Sequence, residues 1–219
     1  MSDDSQNIDI RSFVNSQIIY AYIMSTFLTF LELGYDHILD INGYDHILFV
    51  IALCAVYSVY ESKQVLILVT AFTIGHSVTL ALAVFDIVLI NSSLVELLIV
   101  LTILATALSN LFKSHQPISK NKTRANYILA LFFGLIHGLG FSNYLKALLG
   151  RNSDIVGQLF GFNVGLEIGQ LIVVLCFLII SFIFTQFFRV NKRDWKLIIS
   201  SAIAGMSLML LFENEYWTK

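Results

Sequence analysis

The sequence predicts an all-α, multipass transmembrane bundle of six to seven helices, forming a single domain over residues 1–219. Three observations carry that expectation. Only 13% of residues are charged, against about 25% in soluble domains. Hydrophobic residues make up 57%, with a mean hydropathy of +0.79 and a single proline. Apolar runs recur at close to the roughly 20 helical residues that a bilayer core requires, and they can be counted in chain order.

The first run, Gln17 to Gly34, carries Ser25, Thr26, Thr29 and Glu32. It reads either as a span or as a helix lying in the interface, which is the difference between seven crossings and six. Ahead of it, Asp3, Asp4 and Asp9 stand against a lone Arg11, the reverse of a signal peptide's positive start, so no cleaved leader is expected. A near-repeat follows, with Gly34-Tyr35-Asp36-His37-Ile38-Leu39 matched by Gly43-Tyr44-Asp45-His46-Ile47-Leu48. It occurs once, so it is no solenoid, and it predicts a turn presenting two Asp-His pairs on the outer side. The second run spans Asp45 to Tyr60. Asp45 reads either as a metal ligand with His37 and His46 or as a helix N-cap beside Gly43.

The third run, Lys63 to Ile90, holds His76 near its middle with Thr73 and Thr79 three residues to either side, on a shared flank. The fourth, Leu94 to Phe112, opens on Ser93-Leu94-Val95-Glu96, a capping-box pattern that gives Glu96 a structural reading. Further along, Thr102, Thr106 and Asn110 share one face and fit either a lined path or hydrogen bonds between helices. The fifth run, Asn126 to Leu149, places His137 between Gly134 and Gly138, whose small-residue face admits a close neighbour.

The sixth run, Gln158 to Phe188, is the most informative. Gly157, Gly161, Gly165 and Gly169 recur every four residues, while Asn163, Glu167 and Gln170 form a polar stripe roughly opposite. The glycines predict tight packing on a neighbour. The stripe must face the interior, since lipid does not solvate Glu167. The seventh run, Trp195 to Phe212, has no mid-membrane lysine, Lys196 lying at its start, which disfavours a retinal photoreceptor.

Lys113, Lys120, Lys122 and Arg124 in one connection, and Arg189, Lys192, Arg193 and Lys196 in another, predict two cytoplasmic loops two crossings apart. Counting outward puts Tyr35 to Tyr44 and the C-terminus outside, with an acidic outer side that includes Asp36, Asp86, Glu96, Asp154, Glu213 and Glu215. A net charge of -2 without a basic stripe sets nucleic acid aside. Cys54 and Cys176 lie in apolar runs far from a second thiol, which predicts core packing rather than a disulfide or thiolate site.

An ionisable side chain at membrane depth costs a few kcal/mol and needs a partner or a task. His37, Asp45 and His46 at the outer edge, Glu167 roughly 15 Å inward and His76 and His137 near mid-depth suggest a descent from capture to passage. Imidazole and carboxylate suit nickel, cobalt or zinc, and the lack of Met-rich or paired-Cys motifs argues against copper(I). For each residue a purely structural role, a core histidine or a packing network, stays open.

The chain resembles the HupE/UreJ membrane proteins, specifically their second, longer-motif group, from about Phe27 to Gln170. The resemblance rests on the segments 43–49 (GYDHILF), 71–80 (AFTIGHSVTL), 133–141 (FGLIHGLGF) and 162–170 (FNVGLEIGQ). It implies a bacterial multipass inner-membrane protein, the better-understood members resembling nickel or cobalt permeases tied to hydrogenase and urease maturation. By position Asp45, His46 and His137 carry over. His37 does so at a different spacing, with seven residues between it and Asp45 instead of five, and only one histidine stands in the later His-Gly helix instead of two. His76 and Glu167 match the pattern of this group.

The leading expectation is therefore a divalent-metal permease, nickel first and cobalt second. His37, Asp45, His46, His76, His137 and Glu167 are its ligands, with Thr73, Asn163, Gln170 and Glu96 behind them or along the path. Its partners would be membrane lipid, the ion, and either further copies of the chain or metallocentre-maturation proteins. Whether it is an enzyme is left open. The alternatives are an intramembrane zinc-dependent metalloenzyme acting on a lipid or membrane protein, disfavoured by the absence of His-Glu-x-x-His, and a structural or assembly subunit. No P-loop is present, so ATP coupling would need another chain.

Overall fold

A computed structural model describes residues 3–88, 91–112, 120–149 and 155–217, with side chains from 15 onward except 120–122 and 215. Among the described residues eight α-helices follow one another: α1 (Asp3–Leu39), α2 (Asp45–Cys54), α3 (Ser62–Val84), α4 (Ser92–Phe112), α5 (Lys120–Gly140), α6 (Ser142–Leu149), α7 (Ile155–Phe182) and α8 (Lys192–Glu213). A π-helical turn, Ile183–Phe187, extends α7. Single 3-10 turns stand before α3 and after α8. Lys113 and Asp154, together with the side chains of Lys120, Lys122 and Glu215, lie outside what is described.

Among the described residues five helices are long and apolar enough to cross a membrane, and α5 with α6, bent by 52° at their junction, brings the number to six when the pair is counted as one span. The chain is a multipass membrane protein. Ile, Leu and Phe side chains stand exposed along every span, among them Ile74, Leu101, Phe132, Ile179 and Leu208. Such a surface is stable only against lipid, where each backbone group is already bonded within its helix.

The seventh crossing does not form. With ten residues, α2 is about 15 Å long, half a bilayer core. The contacts show why one span is split between α1 and α2. Phe27, Leu31 and Ile38 of α1 pack in order against Gly161, Gly165 and Gly169 of α7, so the two helices run in the same direction. On α2, His46 lies beside His137, which bonds Thr102 of α4, and Ala52 accepts a hydrogen bond from Asn110 of α4 at 2.7 Å. Helix α2 therefore runs along α4. It continues the direction of α1 after a break at Asp40 to Tyr44, where the Asp40 carboxylate folds back on the Asn42 amide at 2.9 Å.

This corrects the expected outer turn. The segment Tyr35 to Tyr44 joins α1 to α2 beside the middle of α7, where Ile38 packs on Gly169, and at the level of the histidines, instead of at the end of the bundle.

The glycine ridge packs as expected, and its partner is α1. A Cβ at Gly165 would collide with the Leu31 carbonyl, and one at Gly34 with that of Phe162. Only hydrogen fits at these contacts, which draws α1 against α7. Gly134 and Gly138 bring α5 equally close to Phe72 and His76 of α3. Two expectations fail locally. Helix α4 begins ahead of the Ser93–Glu96 pattern and is capped by Asn91, whose Oδ1 accepts from the Ser93 amide at 2.9 Å, leaving Glu96 exposed. Cys54 is buried, but Cys176 faces outward. The real capping box is Ser58–Glu61, which ties the start of α3 through a 3.0 Å bond to the Ser58 amide.

Candidate metal site

Four helices bring their histidines to one place. His37 ends α1, His46 begins α2, His76 sits in α3 and His137 in α5. The His37 and His46 rings are 4.6 Å apart between centroids, His46 and His137 5.4 Å, and His46 and His76 6.1 Å. One ligand nitrogen from each of His37, His46 and His76 falls within 4.8 Å of the others; His137 stands beside His46, outside that group of ligand atoms among the described residues. Ligand nitrogens at about 2.0–2.1 Å from a single ion stand roughly 3–4 Å apart. Closing on an ion therefore asks each ring for about 1 Å of movement or less.

Buried imidazole nitrogens in a membrane protein ordinarily bond to something, and several here do not. His37 Nε2, His46 Nε2, both nitrogens of His76 and His137 Nδ1 are all buried and lack a hydrogen-bond partner. Leaving one such atom unsatisfied costs about 1–3 kcal/mol. A cation is the partner that satisfies several lone pairs at once, and imidazole is a good ligand for first-row divalent metals.

Two outer contacts set which nitrogen carries the proton. His46 Nδ1–H donates to Asp45 Oδ1 at 3.1 Å, which leaves the Nε2 lone pair for the group. Thr102 Oγ1 donates to the Ile99 carbonyl at 2.7 Å, so it accepts from His137 Nε2–H at 3.0 Å and leaves Nδ1 free. Support of this kind orients metal-binding histidines and raises their basicity. Asp45 does not cap its helix: Tyr44 occupies the N-cap position, and no side chain bonds there. The carboxylate is spent on His46.

The remaining predicted residues lie elsewhere. Gln170 Oε1 accepts from Thr73 Oγ1 at 2.7 Å in the buried α3–α7 contact. One turn away, Glu167 Oε1 accepts from Thr70 Oγ1 at 2.7 Å. Asn163 bonds back to the Leu159 carbonyl of its own helix. The polar stripe of α7 thus faces α3, one turn from His76, and Glu167 is not part of the group of ligand atoms among the described residues. Asp36, the partner of His37 in the near-repeat, is exposed.

Two kinds of residue escaped the sequence reading. Thr102 was visible only as part of a polar face. The aromatic walls carried no signal: Phe49 and Phe72 lie 4.7 and 5.1 Å from the His137 ring, and Phe141 lies 3.9 Å from His37. Phenylalanine at helical spacing reads as ordinary core.

The family model for the HupE / UreJ proteins matches residues 14–215, so the chain belongs to that family. No curated protein and no solved structure matches the chain.

Proposed function

We propose, on that membership and the four-histidine site, that the protein is a permease for a divalent transition-metal ion, nickel first and cobalt second. The observation that carries the reading is the convergence of buried ring nitrogens without partners at the break of a membrane-spanning helix. Interrupted helices are where transporters place their substrate sites, because the break exposes polar groups at mid-membrane without opening the backbone to lipid. The ion is cargo here, held by His37, His46 and His76, with His137 beside His46 as the next imidazole on its path. Asp45 supplies the negative charge behind His46.

The direction follows from the basic connections. Arg124 with its neighbouring lysines, and Arg189, Lys192 and Arg193, belong on the cytoplasmic side of a bacterial inner membrane. Six crossings then place the C-terminus outside, on the same side as the start of α1. An ion entering from outside meets the imidazoles about half-way across and leaves along α2. Delivery to a metallocentre-maturation partner on the inner face suits this direction.

The test is nickel entry into sealed proteoliposomes. Wild-type protein fills the vesicles with nickel, and His46→Ala and His76→Ala do not. Wild-type protein that binds zinc but carries no metal across would overturn the permease reading in favour of an intramembrane metalloenzyme.

A further inference from the structure

The aromatic rings around the imidazoles form two layers with different mechanics. Phe49, Phe72 and Phe133 each stand one turn from a histidine toward the cytoplasmic end of their helices. Phe49 and Phe72 are fully buried within uninterrupted helices. On the outer side stands Phe141, half-buried, at the residue where α5 breaks from α6. Its ring lies 3.9 Å from His37 and stacks on Phe162 at 5.1 Å with 8° between planes. His37 is half-buried, whereas His46, His76 and His137 are buried. The one accessible imidazole is therefore the one that Phe141 covers.

Helix α6 has the construction of a hinged arm. It leaves α5 at 52°, beside Gly138 and Gly140. Its far side is fastened to the α3–α4 connection by Lys146 Nζ to Asp86 Oδ1 at 2.6 Å and by Asn143 Nδ2 donating to Ser92 Oγ at 2.8 Å. Both contacts are exposed, and exposed contacts of this kind are weak and readily broken; the opposite face of α6 buries Leu145 and Leu149, so the arm moves by sliding or tilting those two leucines in the core.

We infer that Phe141, carried on α6, is the outer gate through which the ion reaches the four imidazoles; this rests on the metal-permease reading. The ring excludes water and ions from the site when α6 is fastened, and swinging α6 away uncovers His37 first. A gate of this kind sets the rate of exchange and leaves affinity to the ligands.

Stopped-flow absorption of cobalt(II) binding to the purified protein tests this. Phe141→Ala removes ring contacts of a size that speeds association and dissociation together by about tenfold, leaving equilibrium affinity within about threefold. Phe141→Leu, the milder change, falls between. Ser92→Cys with Asn143→Cys, in a Cys176→Ser background and bridged by a short reducible thiol crosslinker, should slow cobalt exchange at least about tenfold until reductant is added. Wild-type exchange rates in both Phe141 variants, or in the crosslinked protein, overturn the gate alone. A wild-type protein that takes up no cobalt overturns the metal reading and the gate with it.

Discussion

Asp45→Asn separates the roles that Asp45 could hold, because the substitution keeps the shape and removes the charge. In the structure Asp45 Oδ1 accepts from His46 Nδ1 at 3.1 Å and bonds no helix amide as a cap. A charge-assisted hydrogen bond contributes roughly 1.5–3 kcal/mol and a neutral one roughly 0.5–1.5 kcal/mol, so the loss is about 1–2 kcal/mol. That corresponds to roughly a tenfold weakening of metal binding or somewhat more, within the range of about 10–100-fold seen when the support behind a ligating histidine is removed. The cobalt(II) absorption of the detergent-solubilised protein, with nickel as competitor, measures it. Thermal stability of the metal-free variant should stay near wild type, since no cap is lost. Unchanged nickel affinity in Asp45→Asn, alongside abolished binding in His46→Ala, would refute the reasoning that the carboxylate acts through His46.

Three further outcomes follow from the same geometry. His76→Leu should abolish metal binding yet raise the stability of the metal-free protein by about 1–3 kcal/mol, because both His76 ring nitrogens are buried without partners; thermal unfolding in detergent without metal is the check, and a lowered midpoint would show that unseen partners hold the ring. Thr102→Val takes away the acceptor of His137 Nε2–H and should weaken cobalt binding by about tenfold with little change in span packing, measured by titration. Gly165→Ala drives a methyl into the Leu31 carbonyl, and should destabilise the protein by about 1–3 kcal/mol while displacing α1 and with it His37, seen as a joint drop in unfolding midpoint and metal affinity.

The membrane character and the helix count to within one were legible in the sequence, because hydropathy and run length are properties of the solvent and need no tertiary knowledge. The glycine ridge was legible too, since a spacing of four places all its members on one face before any partner is known. The depth of the near-repeat was not. Tyr35 to Tyr44 has the composition of a surface turn, and only the parallel packing of α1 on Gly161, Gly165 and Gly169 of α7 brings it beside the middle of that helix. The descent expected from His46 to His76 became a single level for the same reason. The histidines could be nominated because an unpaired imidazole at membrane depth is costly wherever it sits, whereas their meeting depends on how α1 and α2 pack against α3 and α5, which lie far along the chain. Glu167 carried the same cost signal, and its answer is a threonine on a facing helix, Thr70, which no spacing within α7 discloses. Phe141 gave no sign because its part depends on the α5–α6 break, and Gly138-Leu139-Gly140 reads equally well as a small-residue face.

Nickel K-edge X-ray absorption of the loaded, purified wild-type protein tests the central claim most directly. The account predicts one nickel per chain with a nitrogen-dominated first shell at about 2.0–2.1 Å and the outer-shell scattering of three to four imidazoles. A first shell made of oxygen alone, or protein that retains no nickel after loading, would contradict it.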